Sequence, residues 1–71
     1  MSTLADTLDL IESVHRAATL LWEGADEGSD VEALAEAVQI ACDGLADVAE
    51  HAPDAVADTA RRMADTLGGL W

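Results

Sequence analysis

The chain has 71 residues and a formal net charge of -12, which arises from 15 acidic residues against three basic ones, all of them arginine. Such a charge disfavours nucleic acid, acidic lipid and anionic metabolites as direct ligands, and it attracts basic surfaces and cations. The length fits a single small domain, residues 1–71, and with only two aromatic residues the core must be thin.

The single cysteine excludes an internal disulfide and fits a reducing compartment. No basic segment followed by an apolar run opens the sequence, and no apolar stretch reaches the length of about 18 residues that a membrane-spanning helix needs. We therefore expect a soluble, cytoplasmic protein that does not act at a membrane.

The first predicted helix covers about residues 3–23. Thr3 followed by Asp6 is a variant of the capping box that begins many helices. Glu12 and Arg16 lie four residues apart and can form an ion pair. At about 100° per residue, one broad face is apolar and polar residues occupy the other. The apolar face consists of Leu4, Leu8, Leu10, Ile11, Val14, Ala17, Ala18, Leu21 and Trp22.

The second predicted helix covers about residues 30–51. Ser29 and Glu32 form an S-x-x-E capping box at its start. Gly44 lies inside this helix, where we expect it to let a neighbouring helix come close, at a cost of about 1 kcal/mol relative to alanine. The predicted apolar face consists of Val31, Leu34, Ala35, Val38, Ala41, Cys42, Leu45, Val48 and Ala49.

The third predicted helix covers about residues 53–67, because Pro53 suits the first turn of a helix but cannot continue one. Asp58 can pair with Arg61 or Arg62, and Arg61 with Asp65. The predicted inner face consists of Val56, Ala60, Met63, Ala64 and Leu67. Together the elements predict an all-α fold, a small antiparallel three-helix bundle. The alternative is a helical hairpin that dimerises, so both a monomer and a homodimer remain open.

The acidic residues are segregated from the basic ones. Between Arg16 and Arg61 the sequence has eleven acids and no base, and all three arginines lie in the outer helices next to acids. Five acids of the second helix fall within a sector of about 60° and span roughly 27 Å. We call these five the acidic row: Glu32, Glu36, Asp43, Asp47 and Glu50. With the loop acids, the candidate partner-binding residues are Asp26, Glu27, Asp30, Glu32, Glu36, Asp43, Asp47 and Glu50.

Three hypotheses account for this pattern. In the first, the acids imitate a strand of phosphates and bind a basic protein surface that normally holds nucleic acid. In the second, they form a solvated face on a protein from a high-salt or high-GC organism, with a structural or regulatory role and no mimicry of nucleic acid. In the third, an unrelated binding role uses the apolar tail, Leu70 and Trp71.

The chain is short, helical and without lysine, and its acids are concentrated in the segments "DEGSDVEALAE" and "CDGLADVAE". In these features it resembles the small anti-CRISPR proteins of phages and mobile elements. Some of those proteins act as DNA mimics that occupy the DNA-binding surface of a CRISPR surveillance complex. The resemblance implies a non-catalytic inhibitor in the cytoplasm of the host cell, with that complex or another nucleic-acid-binding protein as its partner.

Other candidate sites are less specific. Glu12 and His15 have the Glu-x-x-His spacing of di-metal bundles, but only one copy is present. The segment "DEGSDVE" is acidic but lacks the ligand order of an EF-hand loop. Cys42 lies on an apolar face without a nearby base, as a structural thiol does. With no phosphate-binding loop or nucleophile elbow, the sequence predicts no enzyme, no cofactor and no metal.

The two tryptophans and two isolated aliphatic residues can serve either the core or a contact with a partner. Trp22 lies on the core face of the first helix and is predicted to be structural. Trp71 follows two glycines and is predicted to fold back onto the bundle; the alternative is a free anchor for a partner. Leu20 and Ile40 fall on polar sectors, and they would suggest a dimer or partner contact if they lay close together.

Overall fold

The computed structural model describes residues 3–70. Its three helices are α1 (Leu4–Gly24), α2 (Asp30–Ala49) and α3 (Pro53–Gly68), and each contacts the other two. No strand occurs within the described residues. The predicted all-α three-helix bundle is confirmed, and its principal extents are 37 × 19 × 14 Å. The prediction for Trp71 lies outside the described residues.

Local capping explains where α1 and α2 begin. The Asp6 N–H donates to Thr3 Oγ1 at 3.1 Å, and the Glu32 N–H donates to Ser29 Oγ at 3.2 Å. Both bonds satisfy backbone donors that a helix cannot pair within its first turn. In the loop between α1 and α2, Gly28 has a φ of 77°, a left-handed conformation that glycine adopts without steric cost.

The third helix begins differently, because Ala52 provides no side-chain cap. Pro53 is its first residue, where the missing N–H leaves no donor to satisfy. The Pro53 carbonyl accepts a hydrogen bond from Thr7 Oγ1 at 3.0 Å. This bond places the first turns of α1 and α3 side by side, and Leu70, which follows α3, lines a groove with Leu20 and Leu21 near the end of α1. The two helices therefore run in the same direction.

Side chains that meet across α1 and α2 show that these helices are antiparallel. Gln39 Nε2 donates to Thr19 Oγ1 at 2.9 Å, and Thr19 Oγ1 in turn donates to the His15 carbonyl at 2.9 Å. Leu8 and Ala46 line the same groove, one near the start of α1 and the other near the end of α2. The topology is therefore up-down-up, with α2 opposed to both of its neighbours.

The core lies along the line where the three helices meet. Its fully buried side chains are small, and the largest of them are Leu67, Val14 and Thr7. Thr7 was not expected in the core, but its side chain is 0% exposed because its hydroxyl is paired with a backbone carbonyl. The buried hydrophobic residues are Ile11, Val14, Ala18, Leu21, Ala35, Val38, Cys42, Ala49, Val56, Ala57, Ala60 and Leu67.

The predicted apolar faces were too broad, and three residues of α1 show why. Leu4, Leu8 and Trp22 were predicted to lie in the core, but all three are exposed. They lie on one edge of the apolar face, beyond the residues that α2 and α3 cover. The neighbours of Leu8 across its groove are the short or charged Cys42, Asp43 and Ala46, which cannot enclose a leucine.

The same error affects α2 and α3. Ala41 and Val48 of α2 and Ala64 of α3 were predicted to face inward, and all three are exposed. Ala41 and Val48 lie about 60–80° around α2 from buried Val38, beyond the buried part of the helix. Ala57, which the predicted face omitted, is buried instead.

The prediction for Gly44 was wrong as well. A Cβ built at this position would meet nothing within 4 Å, so no helix approaches it closely. Gly44 lies on the exposed side of α2. None of the helices within residues 3–70 is both long enough and apolar enough to cross a membrane.

Candidate functional site

The acidic row lies on the solvent side of α2, as its helical spacing predicts. Glu36, Asp43, Asp47 and Glu50 are exposed, and Glu32 is half-buried. Buried Ala35, Val38 and Cys42 are centred about 110° away around the helix and hold α2 against the bundle. Four of the five acids lie within α2 and Glu50 is its C-cap residue, so the helix backbone fixes the positions from which the carboxylates project.

Glu32 has a structural role in addition to its charge. Its Oε1 accepts a hydrogen bond from the Gly28 N–H at 3.1 Å, while its own N–H is capped by Ser29. In an ordinary capping box the glutamate would return to the N–H of Ser29. Here the carboxylate reaches one residue further back and fastens the loop to α2, close to the helix N-terminus, where negative charge is favourable.

The arginines leave the acidic row unneutralised. Arg16 pairs with Glu12 at 3.0 Å and Arg62 pairs with Asp58 at 3.7 Å, so two predicted ion pairs are confirmed, one in α1 and one in α3. The predicted Arg61–Asp65 pair stays a prediction. Among the described residues, no salt bridge includes a member of the acidic row.

The fold brings part of α1 next to the acidic row. A groove of about 520 Å³ lies where the end of α1, the following loop and the first turns of α2 meet. We call it the Trp22 groove, and it is lined by Trp22, Glu23, Ala25, Glu27, Glu32 and Glu36. The Trp22 side chain is 42% exposed, so this indole, predicted to be a core residue, forms part of an acidic surface instead.

The three loop acids do not behave as a unit. Glu27 shares the Trp22 groove with Glu32 and Glu36, and so continues the acidic row at its N-terminal end. Asp26 lines a different, more apolar groove that includes Leu70. Asp30 precedes Glu32 by two residues and therefore projects about 160° away from it around α2.

A second groove lies beside the acidic row and contains the residues that suggested other chemistry. It is lined by Leu8, Ile11, Glu12, His15, Cys42, Asp43 and Ala46. Cys42 is only 2% exposed, and burial, with a smaller contribution from the negative charge of Asp43, raises the pKa of its thiol. An activated cysteine nucleophile needs a lowered pKa. No hydrogen bond joins Cys42 to His15 within the described structure, so the groove lacks the features of a Cys–His catalytic pair.

The metal hypotheses find no geometric counterpart in the described part of the chain. No three His, Cys, Asp or Glu side chains of residues 3–70 gather in a way that could hold a metal ion. Glu12 pairs with Arg16 rather than with His15. In the loop, the Glu32 carboxylate is engaged by the Gly28 N–H.

Two exposed apolar side chains lie outside the acidic surface. Leu20 is 56% exposed and Ile40 is 68% exposed, as their positions on polar sectors predict. Leu20 lines a groove with Leu21, Gly24 and Leu70, and Ile40 does not line it.

Sequence reasoning missed the contribution of α1 to the site. Glu23 was not among the candidate partner-binding residues, yet it lines the Trp22 groove beside Glu32 and Glu36. The polar bond between Thr19 and Gln39, which fixes the register of α1 against α2, was also missed. The sequence did contain a sign of this bond, because Gln39 is the only amide side chain in the sequence and lies between the apolar and acidic sectors of α2.

Comparison with known proteins adds no assignment: no protein-family model, no curated protein and no solved structure matches this chain at a significant level.

Proposed function

We propose that this protein is a non-catalytic acidic binding protein that covers a basic, nucleic-acid-binding surface of another protein. The observation that carries the proposal is the acidic row, which is displayed on one helix and has no salt bridge within residues 3–70. Unpaired carboxylates on a rigid helix need little rearrangement when lysine and arginine side chains approach, because no existing ion pair has to break. They also give strong electrostatic complementarity to a basic surface.

The dimensions of the row suit an extended basic surface. It spans roughly 27 Å, which is most of the 37 Å length of the molecule. Its mean spacing is roughly 7 Å per charge, about twice the axial spacing of about 3.4 Å between phosphates along one DNA strand. Glu23 and Glu27, at the side of the row, bring the charge density of this surface closer to that of a nucleic acid strand.

A CRISPR surveillance complex, suggested by the resemblance to small anti-CRISPR proteins, is one partner that fits, and other nucleic-acid-binding proteins fit the same chemistry. In this proposal the protein acts in the cytoplasm, on a protein partner and not on nucleic acid or membrane. It acts by occupying a surface, without catalysis, which is consistent with the buried thiol of Cys42 and its raised pKa.

The test is affinity capture from the host at moderate salt, followed by binding measurements with the recovered partner. Nucleic acid should compete with this protein for the partner, and raising the salt concentration from about 0.1 M to about 1 M should weaken the complex steeply. The triple variant Glu36→Lys, Asp43→Lys, Asp47→Lys should remove most of the affinity while circular dichroism shows a folded helical protein.

A matched control has the same change in net charge at other exposed positions. The triple variant Asp6→Lys, Asp9→Lys, Asp65→Lys leaves the acidic row intact, so it should retain most of the affinity. If acidity reflects only the composition of a high-salt or high-GC organism, no basic partner is captured and both triple variants behave alike. Equal binding by the folded acidic-row variant and the natural protein would contradict the proposal, as would a complex that survives saturating nucleic acid.

A further inference from the structure

The Trp22 groove has a composition that the acidic row alone does not have. It combines the exposed part of an indole with four glutamates from three separate segments of the chain: Glu23, Glu27, Glu32 and Glu36. No basic side chain lines it. Except for Glu32, which accepts one backbone hydrogen bond, these carboxylates have no hydrogen bond or salt bridge within the described residues.

We infer that the Trp22 groove receives an arginine side chain of the basic partner, with the guanidinium stacked on the indole of Trp22 and hydrogen-bonded to the surrounding glutamates. This inference rests on the proposed function, and it names the residue type that the partner would place at one end of the acidic surface. The argument is charge complementarity, since a groove with four carboxylates and no base excludes an acidic or purely apolar occupant.

Arginine fits this groove better than lysine for two physical reasons. Its planar guanidinium stacks on an aromatic face and is weakly hydrated, so it gives up less solvation when it leaves water. Its fork of five N–H donors can also bind two carboxylates at once, whereas an ammonium group acts as a compact point charge. The groove volume of about 520 Å³ is ample for one long side chain.

The other grooves beside the helices lack this combination. The groove that contains Asp43 has Leu8 and Ile11 on its walls and no tryptophan, and His15 is its one ring side chain. The groove near Leu70 is lined mostly by apolar or small residues, with Asp26 as its one charge. Selectivity for arginine is therefore expected at Trp22, while the rest of the acidic row treats arginine and lysine as similar charges.

The test compares octa-arginine with octa-lysine by titration calorimetry near neutral pH and low salt, using the natural protein, Trp22→Leu and Trp22→Phe. The natural protein should bind octa-arginine more tightly than octa-lysine, and a cation–π contact at a partly exposed site contributes about two- to fivefold of that ratio. Trp22→Leu should lower the ratio by this factor, because it weakens arginine binding more than lysine binding, while Trp22→Phe retains part of it. Leu20→Ala, on another groove, is the matched control and should leave the ratio unchanged.

A second readout does not depend on the stability of the Trp22 variants. In a Trp71→Phe background, octa-arginine should change the fluorescence of Trp22 more than octa-lysine does at equal saturation. An unchanged ratio in folded Trp22→Leu, or identical fluorescence responses, would overturn the inference. If both peptides bind equally and the acidic-row triple variant abolishes both, the proposed function survives and only the arginine site fails. If neither peptide binds, both fail.

Discussion

Replacing Asp47 with lysine should stabilise the protein, although the change places a positive charge in the acidic row. Asp47 lies four residues after Asp43 and three residues before Glu50, so it has a like charge about one turn away in each direction along the same face. Like charges at these spacings destabilise a helix by about 0.2–0.5 kcal/mol per pair, and opposite charges stabilise it by a similar amount. The structure provides no arginine to neutralise any of the three within the described residues.

The magnitude follows from the two pairs that the substitution converts. The pair with Asp43 would have the favourable order, acid before base, and should gain about 0.4–1 kcal/mol. The pair with Glu50 has the reverse order, so we take the lower value of about 0.4 kcal/mol. The free energy of unfolding should therefore rise by about 1 kcal/mol, which raises the melting temperature by roughly 4–8 °C in a domain of this size. A cation near the C-terminus of α2 also interacts favourably with the helix dipole.

Thermal unfolding followed by far-ultraviolet circular dichroism measures this effect. Asp47→Asn removes the repulsion without adding attraction, so its melting temperature should lie between those of the natural protein and Asp47→Lys. Asp58→Lys is the opposite control, because Asp58 already pairs with Arg62 and the change creates repulsion. The reasoning is refuted if Asp47→Lys melts at or below the temperature of the natural protein, or if Asp58→Lys is equally stabilising.

Three further predictions concern the whole fold. The melting temperature of the natural protein should rise between about 0.1 M and about 1 M sodium chloride, because salt screens repulsion among the acids; a flat or falling curve would contradict this. Thr7→Val removes the hydrogen bond to Pro53 and should lower the free energy of unfolding by about 0.5–1.5 kcal/mol. The exposed control Thr59→Val should change this free energy little. Equal effects of the two substitutions in chemical denaturation would show that the buried bond is unimportant. Burial raises the pKa of the Cys42 thiol above its ordinary value of 9.0, so the unfolded state loses its proton first and stability should fall as pH rises above that value. The slope should stay below about 1.4 kcal/mol per pH unit, the limit for one proton, and should disappear in Cys42→Ala; no lysine or tyrosine of the chain titrates in this range.

The helix boundaries could be read from the sequence because local chemistry determines them. Thr3 and Ser29 cap α1 and α2 through bonds to residues three positions away, and Pro53 begins α3 by the geometry of its ring. The predicted range 30–51 differs from Asp30–Ala49 by two residues at its end. None of these signals depends on how the helices pack together, so the sequence contained them in full.

Burial at the edges of the helices could not be read in the same way. Whether a leucine at the edge of an apolar face is covered depends on the size of the residue opposite, and helical periodicity does not identify that residue. Leu8 is exposed because Asp43 and Ala46 lie across from it, and Thr7 is buried because the Pro53 carbonyl is within reach. Both outcomes depend on how the helices pack together, which the periodicity of a single helix does not contain.

In the candidate site, too, some features follow from the spacing within one helix and others only from the packing of two helices. The common direction of the acids on α2 follows from their spacing, whereas the presence of Trp22 and Glu23 beside them follows only from the register of α1 against α2. That register depends on the hydrogen bond between Thr19 and Gln39 and on the small side chains between the helices. A single-helix projection therefore identified the charge of the surface but not its aromatic component.

The acidic row is costly in a protein with little stability to lose. The largest fully buried side chains are one leucine, one valine and one threonine, and small domains have a narrow margin of stability. A composition biased toward acids would act on all three helices alike, yet α1 and α3 each place an arginine four residues from an acid, and α2 does not. A single substitution such as Asp47→Lys should relieve part of this repulsion, so the acidic row lowers the stability of the folded chain. In the proposed function, the basic partner would neutralise this surface and so relieve the repulsion when it binds.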